Sequence, residues 1–308
     1  MLRFLVTGAS GLLGLNFSLR AAMRNEVIGI YNHRAISNAP FQVKQLDFFE
    51  EDIFLDAFEK IKPDVILHCA AMANLEECEK FPEEAKYLNT EIPGKIAYFC
   101  KKNQIKMVHV STDAVFNGEI GNYSEFDKPE PLSTYAKTKK DSEDFVLKEN
   151  PEALITRVNF FGWSLDGNRS LGEFFYNNLK SQTPINGFTD VKFCPLYVSL
   201  LSDLLMEMVT HKLSGLYHVV SSDHMSKYEF GCAIADQFGF NSSIINPISV
   251  NQSNLVAERS KNLTLSTEKL SYDLRKKIPT IRQGIKSFYS DHKNGLPEKL
   301  RSFTLERN

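Results

Sequence analysis

Thr7-Gly-Ala-Ser-Gly-Leu-Leu-Gly14 decides the fold of this chain. It follows the apolar run Phe4-Leu-Val6 and opens an apolar helical pattern over 12–23. Three glycines spaced Gly8-x-x-Gly11-x-x-Gly14 between a strand and a helix suit a dinucleotide. The first permits a tight turn, the second lets backbone approach a pyrophosphate, and the third lets helix pack on strand. The helix start offers N–H groups and a partial positive charge to phosphate. Gly8, Ser10, Gly11, Leu12 and Gly14 are therefore the expected phosphate-side contacts. A loop that is merely glycine-rich accounts for this context less well.

Outward from this turn, short apolar runs alternate with longer helical patterns. Strands are expected at 4–6, 27–30, 65–67, 107–110 and 153–156, and helices at 12–23, 51–60, 82–102 and 134–149. Several strand runs are continuous rather than alternating, as in parallel strands covered on both faces. The order predicts an α/β Rossmann-type doubly wound parallel sheet with right-handed crossovers. Pro93-Gly94 interrupts the 82–102 pattern and predicts a bend or two shorter helices. Beyond 158, a loop over 159–168 precedes helices at 170–181 and 199–211, a further strand at 215–220, and helices at 226–238 and 279–292. The expected division is a nucleotide-binding domain over 1–158, to which 196–220 returns, and a smaller α/β substrate-binding lobe over 159–195 and 221–308. The polar last ten residues are expected to fray.

The chain has 308 residues, 43% of them hydrophobic and 24% charged, so a packed core is expected and disorder is not. A net charge of -2 and the lack of a Lys/Arg run argue against nucleic acid as a partner. Cys69, Cys78, Cys100, Cys194 and Cys232 show no metal-ligand or disulfide spacing, which fits a reducing compartment and no bound metal. No segment approaches the roughly 18 apolar residues of a membrane span. The first strand lies close to Met1, so a signal peptide is not expected either. A cytoplasmic location follows as the expectation.

The second strand ends at Tyr31-Asn-His-Arg34. An acid commonly occupies this place to bind the ribose 2′-hydroxyl of NAD. Here no acid is present, and Arg34 suits a 2′-phosphate, so NADPH is favoured while NAD stays open. Asp47 and Phe48 are candidates to flank the adenine. Cys69-Ala-Ala71 ends the next strand with small residues that suit close passage of a cofactor.

Tyr135 and Lys139 are four residues apart, hence on one helical face. An ammonium near a phenol is expected to lower its pKa from about 10 toward working range. Ser111, Thr112 and Asp113 end a strand upstream, at the carboxyl edge where open α/β sheets bind ligands. A hydroxyl there can hold a substrate oxygen while Tyr135 supplies a proton. By itself Tyr-x-x-x-Lys is weak; its place downstream of the glycine turn and the Ser-Thr-Asp strand strengthens it.

These residues resemble the extended short-chain dehydrogenase/reductase superfamily over most of the chain, and within it the dTDP-4-dehydrorhamnose reductases. The likeness rests on Lys62-Pro-Asp-Val-Ile-Leu-His-Cys-Ala-Ala71, Glu76-Glu-Cys-Glu79, Asn89, Ser111-Thr-Asp-Ala-Val-Phe-Asn-Gly118, Tyr123-x-Glu125 and Pro131-x-x-x-Tyr-Ala-Lys-Thr-Lys139. Late in the chain it adds Arg259 and Asn262-Leu-Thr-Leu-Ser-Thr-Glu-Lys269. The resemblance implies NADPH- or NADH-dependent reduction of a 4-keto group on a nucleotide-activated deoxysugar. In that role Thr112 binds the 4-oxygen, Tyr135 protonates it, and Lys139 binds the nicotinamide ribose and tunes the tyrosine. Asn89 and Ser111 join the cofactor side. Met72, Asp113, Ala114, Asn159 and Phe160 face the sugar, and Lys192 and Arg259 meet its pyrophosphate. A homodimer is compatible with this likeness.

Departures concentrate around the sugar. Ala114 stands where the family has an aromatic, Arg157-Val-Asn-Phe160 replaces Arg-Thr-Ser-Trp, Met72 replaces a polar residue and Ser260 a proline. Ala114 also argues against the similar 4,6-dehydratases, which carry a Glu beside the Asp. Two alternatives stay open: a nucleotide-sugar 4-epimerase, and a cofactor-binding regulatory subunit like the non-catalytic β subunit of methionine adenosyltransferase.

Overall fold

Every expected strand of the first half pairs in parallel with its neighbours. The computed structural model describes residues 1–252 and 260–303. Its first half runs β1 (Arg3–Thr7), α1 (Leu12–Ala21), β2 (Glu26–Tyr31), β3 (Gln42–Gln45), α2 (Glu51–Ile61), β4 (Val65–His68), α3 (Leu75–Lys80), α4 (Pro82–Lys86), α5 (Ile92–Lys102), β5 (Lys106–Thr112), α6 (Thr134–Glu149) and β6 (Leu154–Val158). The second half adds β7 (Phe160–Phe161), α7 (Leu171–Lys180), β8 (Ile185–Phe188), β9 (Lys192–Phe193), β10 (Leu196–Tyr197), α8 (Val198–Thr210) and β11 (Gly215–Val219). It ends with β12 (Met225–Ser226), α9 (Lys227–Phe238), β13 (Ile245–Ile248), β14 (Asn262–Leu263), α10 (Glu268–Leu274), α11 (Ile281–Lys293) and α12 (Leu296–Arg301).

The main sheet has seven strands in the order β11-β6-β5-β4-β1-β2-β3, all parallel. The strand order reverses between β1 and β4, which opens a crevice at their carboxyl ends. Both faces are covered. Leu13, Leu15 and Phe17 of α1 pack with Leu201, Leu204 and Leu205 of α8 on one side. Phe54 and Phe58 of α2, Ile92 and Ile96 of α5 and Val146 of α6 cover the other. Each such side chain removed from water contributes about 1.5–3 kcal/mol, which explains the continuous apolar runs of the strands. Short strand pairs, β7 with β10, β8 with β13, and β9 with β12 and β14, build the smaller layer above the carboxyl edge.

The interruption expected at Pro93-Gly94 takes a particular form. Tyr87–Glu91 is a single π-helical turn between α4 and α5, closed by the Ile92 N–H on the Tyr87 carbonyl. Pro93 then occupies the first turn of α5, where its missing N–H costs little. The tail differs from expectation as well. Residues 299–301 belong to α12, Phe303 is buried, and its carbonyl accepts from Ser37 N at 2.8 Å. The remaining tail, 304–308, lies outside the described residues, as does Arg259. Among the described residues no helix is long and apolar enough to cross a membrane.

Candidate active site

The glycine turn leads directly from β1 into α1. Gly8 has φ +66, and a Cβ there would lie 2.9 Å from Ala70 N; one on Gly14 would lie 2.2 Å from the Gly8 carbonyl. Backbone fills the space that side chains would need at these two positions. Gly11 is the N-cap of α1, with no side-chain cap and no acid in the first turn, which leaves the helix start suited to an anion. The Thr7 hydroxyl accepts from Cys69 N (3.1 Å) and Ala70 N (3.2 Å), tying the two strand ends of the crevice together. Cys69 packs against one core layer and Ala70 against the other, and both are half-buried. These residues fit the phosphate end of a dinucleotide.

Farther along the same edge, Arg34 forms an ion pair with Asp166, and Arg169 approaches the same carboxylate at 3.3 Å. Any phosphate reaching Arg34 competes with Asp166. Asp47 accepts from Phe49 N at 3.0 Å. Phe48 departs from expectation: it is buried against Phe54 and His68 in the core. Its neighbour Phe49 is the exposed ring, stacked on Tyr87.

At the carboxyl end of β5, Thr112 turns the chain into a short 3-10 segment, Asp113–Val115, and its hydroxyl accepts from Ala114 N at 3.2 Å. The Tyr135 phenol lies beside the Thr112 hydroxyl, which acts to lower its pKa. Tyr135 lies in the first turn of α6, whose N-cap Ser133 accepts from Ala136 N. Glu79 accepts from the Thr134 amide (2.8 Å) and hydroxyl (2.6 Å), adding a negative charge at the helix start. Lys139, one turn on and buried, donates to the Val110 carbonyl at 2.7 Å.

The electrostatics correct the expected tuning. Burial pushes Tyr135 up to about 12, helped by Asp113 and opposed by the neighbouring Thr112 hydroxyl. Lys139 is pulled down to about 8 by burial, against the pull of Glu143 and Cys69. With its ammonium committed to Val110, the lysine does not lower the phenol in this state. Burial and the Lys139 charge also lower His68, to about 3, and hold His109 well below the imidazole range. Asp113 rises to about 6 through burial, opposed by hydrogen bonds from Asn159 and Thr112 and by the charge of Lys227. Asn159 donates to Asp113 at 2.5 Å.

Two cofactor-side expectations change. The Asn89 amide is buried and fully committed: it accepts from Met72 N (2.8 Å) and donates to Met72 O (3.0 Å) and Thr138 (3.1 Å). It pins the loop after β4 to α6 rather than presenting a side chain to a ligand. The Ser111 hydroxyl likewise turns inward, donating to Glu143 at 2.5 Å. Met72, Ala114, Asn159 and Phe160 are half-buried around the Thr112–Tyr135 pair's end of the sheet. Lys192 is exposed on β9, where its charge acts on Glu229. Lys227 escaped the sequence reading, because only folding brings the start of α9 near Asp113. Among the described residues no cluster of His, Cys, Asp or Glu is placed to hold a metal ion.

The fold is that of a Rossmann-type α/β protein, and residues 2–294 match the RmlD substrate binding domain family; the chain belongs to it. It is 28% identical over 296 residues to a probable low-salt glycan biosynthesis reductase of Haloferax volcanii, covering 93% of this chain and 98% of that one. It is 29% identical over 293 residues to methionine adenosyltransferase 2 subunit beta of Mus musculus, covering 92% and 86% respectively. Among solved structures it is similar to a hypothetical dTDP-4-dehydrorhamnose reductase from Sulfolobus tokodaii, with a TM-score of 0.81, 29% identity, and coverage of 92% and 98%.

Proposed function

We propose that this protein is a nicotinamide-dependent reductase that converts a keto group of a nucleotide-activated deoxysugar to an alcohol, with NADPH favoured and Tyr135 as proton donor. The observation that carries the reading is Tyr135 beside Thr112 at the carboxyl edge of β5, with Lys139 one turn behind it and the Gly8–Gly14 turn across the crevice.

The bound cofactor supplies the hydride. Thr112 orients the carbonyl oxygen, its own geometry held by the Ala114 amide. With its pKa near 12, Tyr135 stays protonated at neutral pH and can give its proton to the oxygen as negative charge develops there. Lys139, largely charged below about pH 8, would hold the nicotinamide ribose and stabilise the phenolate left on Tyr135. Arg34 takes the 2′-phosphate in exchange for Asp166. Lys192 and Lys227 supply positive charge for the sugar's pyrophosphate. Arg259, expected to share that task, lies outside the described residues.

The test is NADPH oxidation against a panel of nucleotide 4-keto-6-deoxysugars, with product configuration read by NMR. Tyr135→Phe is expected to fold, bind NADPH and lose nearly all turnover. Undiminished reduction by that variant would reject the assignment.

A second reading is favoured by the likeness to methionine adenosyltransferase 2 subunit beta. On it, the chain binds a nicotinamide cofactor and serves a catalytic partner. Co-purification with such a partner, together with no NADPH oxidation across the panel, would establish it instead.

A further inference from the structure

Ser111, Arg157 and His218 stand side by side across three adjacent strands, paired in register as Ser111↔Arg157 on β5 and β6 and Arg157↔His218 on β6 and β11. All three are buried. Above this row sits Glu143 of α6, also buried. Its carboxylate receives Arg157 Nε at 2.9 Å, Arg157 Nη2 at 2.7 Å and the Ser111 hydroxyl at 2.5 Å. The guanidinium lies 4.9 Å from the Phe116 ring centroid, and Phe116 stacks on Tyr123 at 4.1 Å. The main chain of the row is held too, since His218 N donates to Glu125 at 2.9 Å.

An ion pair this deep is a poor source of net stability. Desolvating two charges offsets most of their attraction, and apolar side chains of similar volume commonly serve as well. What the pair supplies is direction. A bidentate Arg–carboxylate contact with a third donor tolerates little sliding. Tyr135, Lys139 and Glu143 follow one another at four-residue intervals along one face of α6. Thr112 directly follows Ser111 on β5. A shift of α6 along the sheet would therefore break the Glu143 contacts and separate Tyr135 from Thr112 together.

We propose that Glu143, held by Ser111 and Arg157, is a positioning residue that sets the seat of α6 on β5 and so the placement of Tyr135 and Lys139 against Thr112. The inference rests on the reductase reading for its kinetic consequence, and on geometry alone for its structural one.

Two variants test it. Ser111→Ala removes the tie to β5 and leaves the ion pair. Glu143→Asp keeps the charge but shortens the reach by one methylene. Both are compared below their melting temperatures with Asp141→Asn, an exposed change on the same helix. The expected result is a fall in kcat, about tenfold for Ser111→Ala and more for Glu143→Asp, with the KM for NADPH within about twofold of wild type. A merely structural role would lower the melting temperature and leave kcat of the folded protein unchanged, and that result would overturn the proposal. A second readout needs no turnover: the 13Cζ resonance of Tyr135, assigned by its loss in Tyr135→Phe, is expected to move in both variants and stay in place in Asp141→Asn. If wild type reduces no sugar while the resonance moves, the reductase reading fails and the positioning role stands. An unmoved resonance in both variants, with kcat unchanged wherever there is turnover, rejects the positioning role.

Discussion

The Lys139 ammonium sits 2.7 Å from the carbonyl oxygen of Val110, so the buried cation is anchored to the edge of β5 and not to the Tyr135 phenol one turn away. The cost of that burial has a pH signature.

In the native state Lys139 titrates near pH 8, against about 10.4 for an unfolded chain. Below pH 8 both states carry the charge, and the native state bears the full desolvation cost. Between about pH 8 and 10.4 the unfolded state holds more protons, so stability rises with pH. Wild type should therefore gain on Lys139→Met over this window, by on the order of 3 kcal/mol. Denaturant melts of both proteins at pH 7, 8, 9 and 10 check this; a constant gap would contradict the burial of a charged lysine.

Asp113 carries the opposite sign. Its native pKa of about 6 exceeds the unfolded value of about 3.9, so the native state binds more protons between them and stability falls as pH climbs through that range. Asp113→Asn should remove this slope. The same substitution should also abolish an inflection near pH 6 in kcat/KM, since ionised Asp113 opposes loss of the Tyr135 proton. A pH–rate profile of the two proteins decides it, and an inflection that survives in Asp113→Asn assigns it to another group.

Arg34 exchanges one anion for another, Asp166 for a 2′-phosphate. A charge-assisted hydrogen bond to phosphate is worth about 1.5–3 kcal/mol. Arg34→Ala should accordingly raise the KM for NADPH by roughly 10- to 100-fold and leave NADH within about twofold. Equal changes for both cofactors would remove Arg34 from phosphate recognition.

In the glycine turn, the two later glycines should differ in tolerance. A Cβ on Gly14 meets the Gly8 carbonyl at 2.2 Å, whereas one on Gly11 meets it at 3.1 Å. Overpacking against backbone costs about 1–3 kcal/mol or more. Gly14→Ala should lose NADPH binding and melt well below wild type, with Gly11→Ala less affected on both counts. Fluorescence titration with NADPH alongside thermal melts measures the order.

How much of this was legible beforehand follows from the range of the interactions. The glycine turn and the Tyr135/Lys139 face are local: three-residue spacing and i, i+4 stacking hold wherever the segment sits. The break near Pro93 was legible, but its π-helical form was not, because the turn is set by Asn89 and Thr90 meeting Thr138 on α6. Phe48 and Phe49 are adjacent in the chain and equally aromatic, and only packing decides which is buried.

By itself, the sequence determined the order of strands and helices, and hence the parallel sheet and the crevice at its carboxyl edge. It also determined which residue types stand at that edge. The tertiary structure decided what each polar atom does there. Ser111 turns to Glu143, Asn89 to Met72 and Thr138, Lys139 to Val110, and Arg34 to Asp166. The physical reason is that a buried donor or acceptor must be paired, and for the buried ones the partner lies from 17 to 49 residues away along the chain.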